Sequence, residues 1–158
     1  MDDVIYFYSA NREYGYFSCF SKHPIDVNGK TWPTAEHYFQ AQKFAGTLHE
    51  EIVRCAASSM EAAVVGRERF RPLRPDWDEV KNEVMKEALL AKFTQHERLQ
   101  DILLATGQRE IVEHTKNDSY WGDGGDGSGL NMLGELLMQI REELWVRNGL
   151  GVMMRLNE

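Results

Sequence analysis

The sequence predicts an α+β fold, a mainly helical single domain with a small β-sheet. Strand signals concentrate between residues 4 and 32, in the apolar run VIYFY and at the Asn28-Gly29 hairpin turn. Beyond them, N-capping residues recur ahead of apolar positions at helical spacing, at Thr34, Ser58, Asp76 and Thr94. No convincing βαβ unit surrounds the glycine-rich region near the C-terminus, which argues against a doubly wound sheet.

Val4–Tyr8 reads as a buried strand, NREYGY as a turn, and FSCF as the start of a second short strand. Pro24 and Asn28-Gly29 punctuate the next stretch, so one small sheet over residues 4–32 is expected. In WPTAEHYFQAQKF, Pro33 stands outside a helix interior and Thr34 is placed to cap. Glu36, Gln40 and Lys43 then share one helical face, while Tyr38 and Phe39 point elsewhere toward a core. That polar face fits either a site or ordinary solvated charges.

Ser58 with Glu61 forms a capping box before a segment that stops at Gly66. Asp76 caps a helix of roughly four turns, with Trp77, Val80, Val84, Ala88 and Ala91 at helical spacing. Thr94 and Glu97 suggest another box ahead of RLQDILLA, and Glu110–His114 a further short strand. Leu133, Leu136, Leu137, Ile140 and Leu144 stripe a last helix that closes at Gly149.

A chain of 158 residues suits one domain, 1–158, that buries roughly 70% of its unfolded surface. No run of about 18 apolar residues offers a membrane span. The acidic N-terminus, MDDVIYFYS, is unlike a basic secretory leader, and the two Cys form no disulfide framework, so a cytoplasmic location is expected. The net charge of −7 disfavours broad adhesion to nucleic acid. Arg67, Arg69, Arg71 and Arg74 are the local exception, suited to phosphates or to pairing with neighbouring acids.

The five His are scattered, with no HxH or HExxH, so no metal site is expected. No GxSxG element offers an acyl-transfer nucleophile. Cys55 reads as a buried structural thiol, and Trp32 and Trp121 are candidates to stack on a planar ring. Six of the seventeen residues in DSYWGDGGDGSGLNMLG, from Asp118 to Gly134, are Gly. Such a loop suits a ligand approached by backbone amides, or simply a flexible surface. Its literal GxGxxG lacks a dinucleotide fold around it, it has no P-loop Lys, and its acids lack EF-hand spacing.

The motifs WPTAEHYFQAQKF, GR followed by RPDWDEVKNEVM, LLATG and NDSYWGDGGDGSGLNMLGELLMQIR together resemble the NADAR, or YbiA-like, family. The resemblance covers about residues 5–146 and leaves a short tail at 150–158. It implies an N-glycosidase that hydrolyses the bond between ribose C1′ and a nitrogen, with no cofactor. The implied partners are small molecules: phosphoribosylamino-pyrimidine intermediates of riboflavin synthesis, removed as metabolite damage. ADP-ribosyl-guanine in nucleic acid, whose removal reverses a modification, is the second class. Neither a membrane partner nor an oligomeric state is implied.

By the resemblance, Glu36, Lys43, Asp123 and Trp121 are the catalytic candidates. Glu36 would stabilise the developing sugar cation or activate water, and Lys43 would bind phosphate or attack C1′ as an amine. Asp123 would orient the ribose or share proton transfer, with Trp121 over the base. Ser18, Gln40 and Arg67 would contact substrate, and Tyr120, Gly122, Gly124, Gly125, Asp126 and Asn131 would form a phosphate and ribose cradle. Where relatives read Ser-Asn-Phe near the N-terminus this chain reads Ser18-Cys19-Phe20, a change expected to alter affinity or substrate choice if that Asn contacts the sugar. The non-enzymatic alternative is a module that binds NAD or ADP-ribose without cutting it.

Overall fold

The computed structural model describes residues 3–149, so the expected tail at 150–158 lies outside the described residues. In chain order the elements are β1 (Ile5–Phe7), β2 (Ile25–Val27), β3 (Lys30–Trp32), α1 (Ala35–Gln42), α2 (Leu48–Arg54) and α3 (Ser59–Gly66). Then follow α4 (Trp77–Gln95), α5 (Glu97–Ala105), β4 (Ile111–Glu113) and α6 (Met132–Arg147). The α+β class holds.

The one expected sheet is two. Asn28 and Gly29 both take positive φ, 55° and 78°, and turn β2 back onto β3 as an antiparallel hairpin. β1 instead pairs in parallel with β4, Ile5 opposite Ile111 and Phe7 opposite Glu113. Parallel strands need a long crossover, and here it contains both the hairpin and five helices, so local pattern does not reveal the pairing.

FSCF is not a strand either. A 3₁₀ turn at Gly15–Phe17 takes in its first residue, entered through Tyr14 at φ 57°. A Cβ on Gly15 would lie 2.2 Å from the Ala10 carbonyl oxygen, so only glycine lets the two backbones meet. Lys92 of α4, fully buried, donates its amine to the carbonyls of Tyr16 and Ser18 and pins this segment.

α1 is the central helix. Thr34 caps it by accepting from the His37 amide, all eight of its residues are buried, and α2, α3 and α4 pack on it. α2 was not expected, although Thr47, accepting from the His49 amide, supplies its cap. At α3 the Ser58 half of the expected box forms, its Oγ accepting from Glu61 N, while Glu61 Oε2 accepts from Ala57 N at 2.7 Å, one residue before the cap.

Two expected caps do not form. The Asp76 carboxylate is held by Arg74 at 2.6 and 3.0 Å and makes no cap bond to α4. Thr94 lies inside α4, which runs for 19 residues, and its hydroxyl donates back to the Leu90 carbonyl. The core is built from Phe17, Trp32, Tyr38, Leu89, Phe93, Leu103, Leu137 and Ile140. Cys55 is exposed rather than buried. Among the described residues no helix is long and apolar enough to cross a membrane.

Candidate active site

A cavity of about 350 Å³ opens between α1, α4, the end of β4 and the start of the glycine-rich stretch. α1 contributes Glu36 and Gln40 to its wall and Lys43 at its C-terminal cap, the face read from the 3- and 4-residue spacing, together with Phe39, which was expected to point elsewhere. α4 contributes Trp77, Lys81 and Met85, one per turn. Ser18, Cys19 and Phe20 come from the segment pinned by Lys92, and Arg67 follows α3.

Glu36 is only 6% exposed, and its Oε1 accepts from Gln40 Nε2 at 2.8 Å. Burial raises its carboxyl above the usual carboxylate range, against the opposing pull of the Gln40 bond, Arg67 and Lys43. Lys43 donates to the Gly66 carbonyl at 3.3 Å and sits 5.9 Å from the Trp77 ring. Burial lowers its amine to about 8; Glu36 works against that fall, while Arg67 and Arg69 add to it. The cavity thus holds an acid inclined to keep its proton and an amine inclined to lose one.

Aromatic rings form another side. Trp121 meets Phe39 edge-on at 5.3 Å and Tyr120 at 4.9 Å, and Phe39 also touches Trp77. Asp118 Oδ1 accepts from the amides of Tyr120 and Trp121 and fixes the turn that aims both rings inward. The Tyr120 hydroxyl donates to Asn82, and Lys81 lies 4.1 Å over its ring.

Of the expected site residues, Glu36, Gln40, Lys43, Arg67, Ser18, Tyr120 and Trp121 meet in this cavity. Asp123 does not line it. Its Oδ1 accepts from the amides of Thr115 and Gly125, and its Oδ2 lies 2.7 Å from His114 Nδ1. Burial pushes this carboxyl up, but those bonds outweigh it and hold it low. Asp123, Gly125 and Asp126 line a separate hollow with Tyr6, His114 and Gly127.

Gly122 and Gly124 are outside the lining as well. A Cβ on Gly122 would meet the carbonyl oxygens of Glu113 and Asp118 at 2.9 Å, so its smallness serves packing. Asp126 accepts from Ser128. Asn131, at φ 50°, accepts from the Glu113 amide and donates to the Ile111 carbonyl, tying α6 to β4. The glycine stretch is therefore a packed tie that faces the cavity at its start, through Asp118, Tyr120 and Trp121, rather than a cradle along its length.

The arginine cluster divides in the same way. Arg74 pairs with Asp76, and Arg71 lies near Glu68 and donates to His49, leaving Arg67 as the member on the cavity wall. Sequence reasoning missed Glu113, Asp118, Lys81 and Trp77 as lining residues. Glu113 carried a signal: in β4 it shares a face with the fully buried Ile111, so a carboxylate follows an inward apolar residue. Among the described residues no group of three or more His, Cys, Asp or Glu is disposed to hold a metal.

The NADAR domain profile matches residues 6–145. The chain is 56% identical over 143 residues to the N-glycosidase YbiA of Escherichia coli K12, covering 90% of this chain and 89% of that one. It is 43% identical over 144 residues to a riboflavin biosynthesis protein of Vibrio vulnificus, covering 91% of this chain and 39% of that longer one. The NMR structure of the E. coli protein YbiA superposes with a TM-score of 0.87 at 54% identity, covering 94% of this chain and 88% of that one. The chain belongs to the NADAR domain family, and it is an enzyme of the N-glycosidase class that its relatives carry.

Proposed function

We propose that the cavity hydrolyses the C1′–N bond of a phosphoribosylated base, with phosphoribosylamino-pyrimidines of riboflavin synthesis as the favoured substrates. The observation that carries this reading is the pairing on α1 of a buried carboxyl, Glu36, with a desolvated amine, Lys43, in one cavity. Bond cleavage builds positive charge on the ribose, and Glu36 would stabilise it or take a proton from the incoming water. Trp121 and Tyr120 would stack on the base, Ser18 and Gln40 would hold the sugar, and Arg67 would take the phosphate.

Lys43 has two roles open to it. It binds phosphate alongside Arg67, or its neutral amine attacks C1′ and forms an imine with the ring-opened sugar. Asp123 acts, in this reading, by ordering the loop behind Trp121. Size and charge favour a small substrate: the cavity is about 350 Å³, the net charge is −7, and Arg71 and Arg74 are already engaged. The riboflavin biosynthesis name of the Vibrio relative supports the same class.

The test offers the purified protein two substrates side by side. One is 5-amino-6-(5-phosphoribosylamino)uracil, followed by release of ribose 5-phosphate; the other is an oligonucleotide carrying ADP-ribosyl-guanine, followed by release of ADP-ribose. Cleavage of the first supports the proposal. Cleavage of the second alone replaces it with a nucleic-acid repair reaction, and binding of ADP-ribose without cleavage of either replaces it with a non-catalytic module.

A further inference from the structure

We propose that Glu113, at the end of β4, is the acid that protonates the departing nitrogen, working across the cavity from Glu36. The inference rests on the C1′–N cleavage proposed above. Both side chains line the same cavity, one from a helix and one from a strand. The Glu113 backbone is fixed on both sides: its amide donates to Asn131 Oδ1 and its carbonyl accepts from Asp123 N, each at 2.9 Å. The expected loop residues Asn131 and Asp123 thereby hold Glu113 in place.

The two carboxyls differ in their partners. Burial raises the Glu36 carboxyl, but Gln40 donates to it and Arg67 and Lys43 pull against that rise. Glu113 Oε2 is sealed from solvent and meets no donor among the described residues. Burial raises its carboxyl to about 7, and the negative groups Asp118, Glu36 and Asp123 add to the rise. The cations on the cavity walls are Lys43 and Arg67 beside α1 and Lys81 on α4, and the Cys19 thiol, raised by burial, is a neutral donor to Met85. His114, the next residue along the chain, is turned away toward Asp123. Burial raises both carboxyls, but only Glu36 has a hydrogen-bond donor and two cations favouring its anion, an asymmetry that suits the division between acid and base in glycoside hydrolysis.

The step balances. Water oxygen, or Lys43 Nζ, bonds to C1′ and gives up a proton to Glu36. The C1′–N bond breaks, its electron pair goes to nitrogen, and nitrogen takes the proton from Glu113. A nitrogen protonated as it leaves departs as an amine instead of an amide anion, which is why the donor matters to the rate.

The experiment compares wild type with Glu113→Gln and Glu113→Asp on 5-amino-6-(5-phosphoribosylamino)uracil, measuring kcat and KM between pH 5 and 9. Glu113→Gln is expected to lower kcat by on the order of 10²-fold or more, with KM within about threefold. The alkaline limb of the wild-type kcat profile should vanish in Glu113→Gln and persist in the weaker Glu113→Asp. A normal kcat, a change confined to KM, or an alkaline limb that survives in Glu113→Gln overturns the assignment while leaving the glycosidase reading intact. A wild-type protein that releases neither ribose 5-phosphate from this substrate nor ADP-ribose from ADP-ribosyl-guanine removes both. Carbon-13 NMR titration of the Glu113 carboxyl decides independently of turnover: titration near 7 is expected, and an ordinary value near 4 rejects the donor role.

Discussion

Gln40 donates its side-chain amide to Glu36 Oε1 at 2.8 Å while its own Oε1 is sealed from solvent and meets no donor among the described residues. A buried acceptor left unpaired costs about 1–3 kcal/mol, so Gln40 is held there at the expense of stability. The benefit falls on Glu36, whose carboxyl is oriented and biased toward its anion by that bond.

Gly66 makes this arrangement possible. A Cβ there would lie 2.3 Å from Gln40 Oε1 and 2.7 Å from Gln40 Cβ, and the Gly66 carbonyl also receives Lys43 Nζ. Gly66→Ala should push Gln40 off Glu36 and lower kcat by about tenfold to a hundredfold, with overpacking costing about 1–3 kcal/mol in stability. Steady-state kinetics beside thermal melting checks this. Unchanged kcat would mean that Gln40 does not position Glu36.

Lys43 and Lys92 both have amines lowered to about 8 by burial, but only Lys43 faces a cavity. Near pH 8 an amine-selective reagent should therefore modify Lys43 ahead of the surface lysines and leave Lys92 untouched. Ribose 5-phosphate should protect it. Borohydride trapping of a substrate adduct by wild type but not by Lys43→Ala would assign Lys43 the covalent role; no adduct leaves it phosphate binding.

Lys92 is itself a stability prediction. Its amine satisfies the carbonyls of Tyr16 and Ser18, and burial lowers its pKa to about 8. Lys92→Ala leaves those carbonyls unpaired and opens a void, a loss of about 2–5 kcal/mol by chemical denaturation. A lysine lowered on folding contributes more stability as pH rises from about 8 toward its unfolded value, so the wild-type advantage should grow over that range.

Asp123 separates structural from catalytic function. Asp123→Asn disturbs the hydrogen bond with His114 and those from two backbone amides, so about 1–3 kcal/mol of stability should be lost. Its carboxyl is held low in the folded state, so this stability is present above the ordinary Asp range and disappears as pH falls through the folded value. The variant should melt earlier at pH 7, resemble wild type under strong acid, and keep kcat within about tenfold. A kcat loss of 10³-fold without destabilisation would return Asp123 to the chemistry.

The α1 site face was legible because helical spacing is local: Glu36, Gln40 and Lys43 point together wherever the helix lies. So were the Asn28-Gly29 turn and the Ser58 cap, each a device of a few residues. What escaped was long-range. Glu113 reaches the cavity only because β4 pairs with β1 more than a hundred residues earlier in the chain, and nothing beside it in sequence marks that pairing. The glycine stretch misled for a related reason: its glycines permit close packing against Glu113 and Asp118 as readily as contact with a ligand. Asp76 failed as a cap because Arg74, two residues away, competes for its carboxylate.

The central claim is that the Glu36 carboxyl drives cleavage of the C1′–N bond, and Glu36→Gln tests it most directly. The substitution keeps shape and removes charge, in a protein whose fold can be verified by its melting curve. Release of ribose 5-phosphate from 5-amino-6-(5-phosphoribosylamino)uracil should fall by on the order of 10²-fold or more in kcat, with substrate still bound. Release at the wild-type rate by a folded Glu36→Gln would contradict the account.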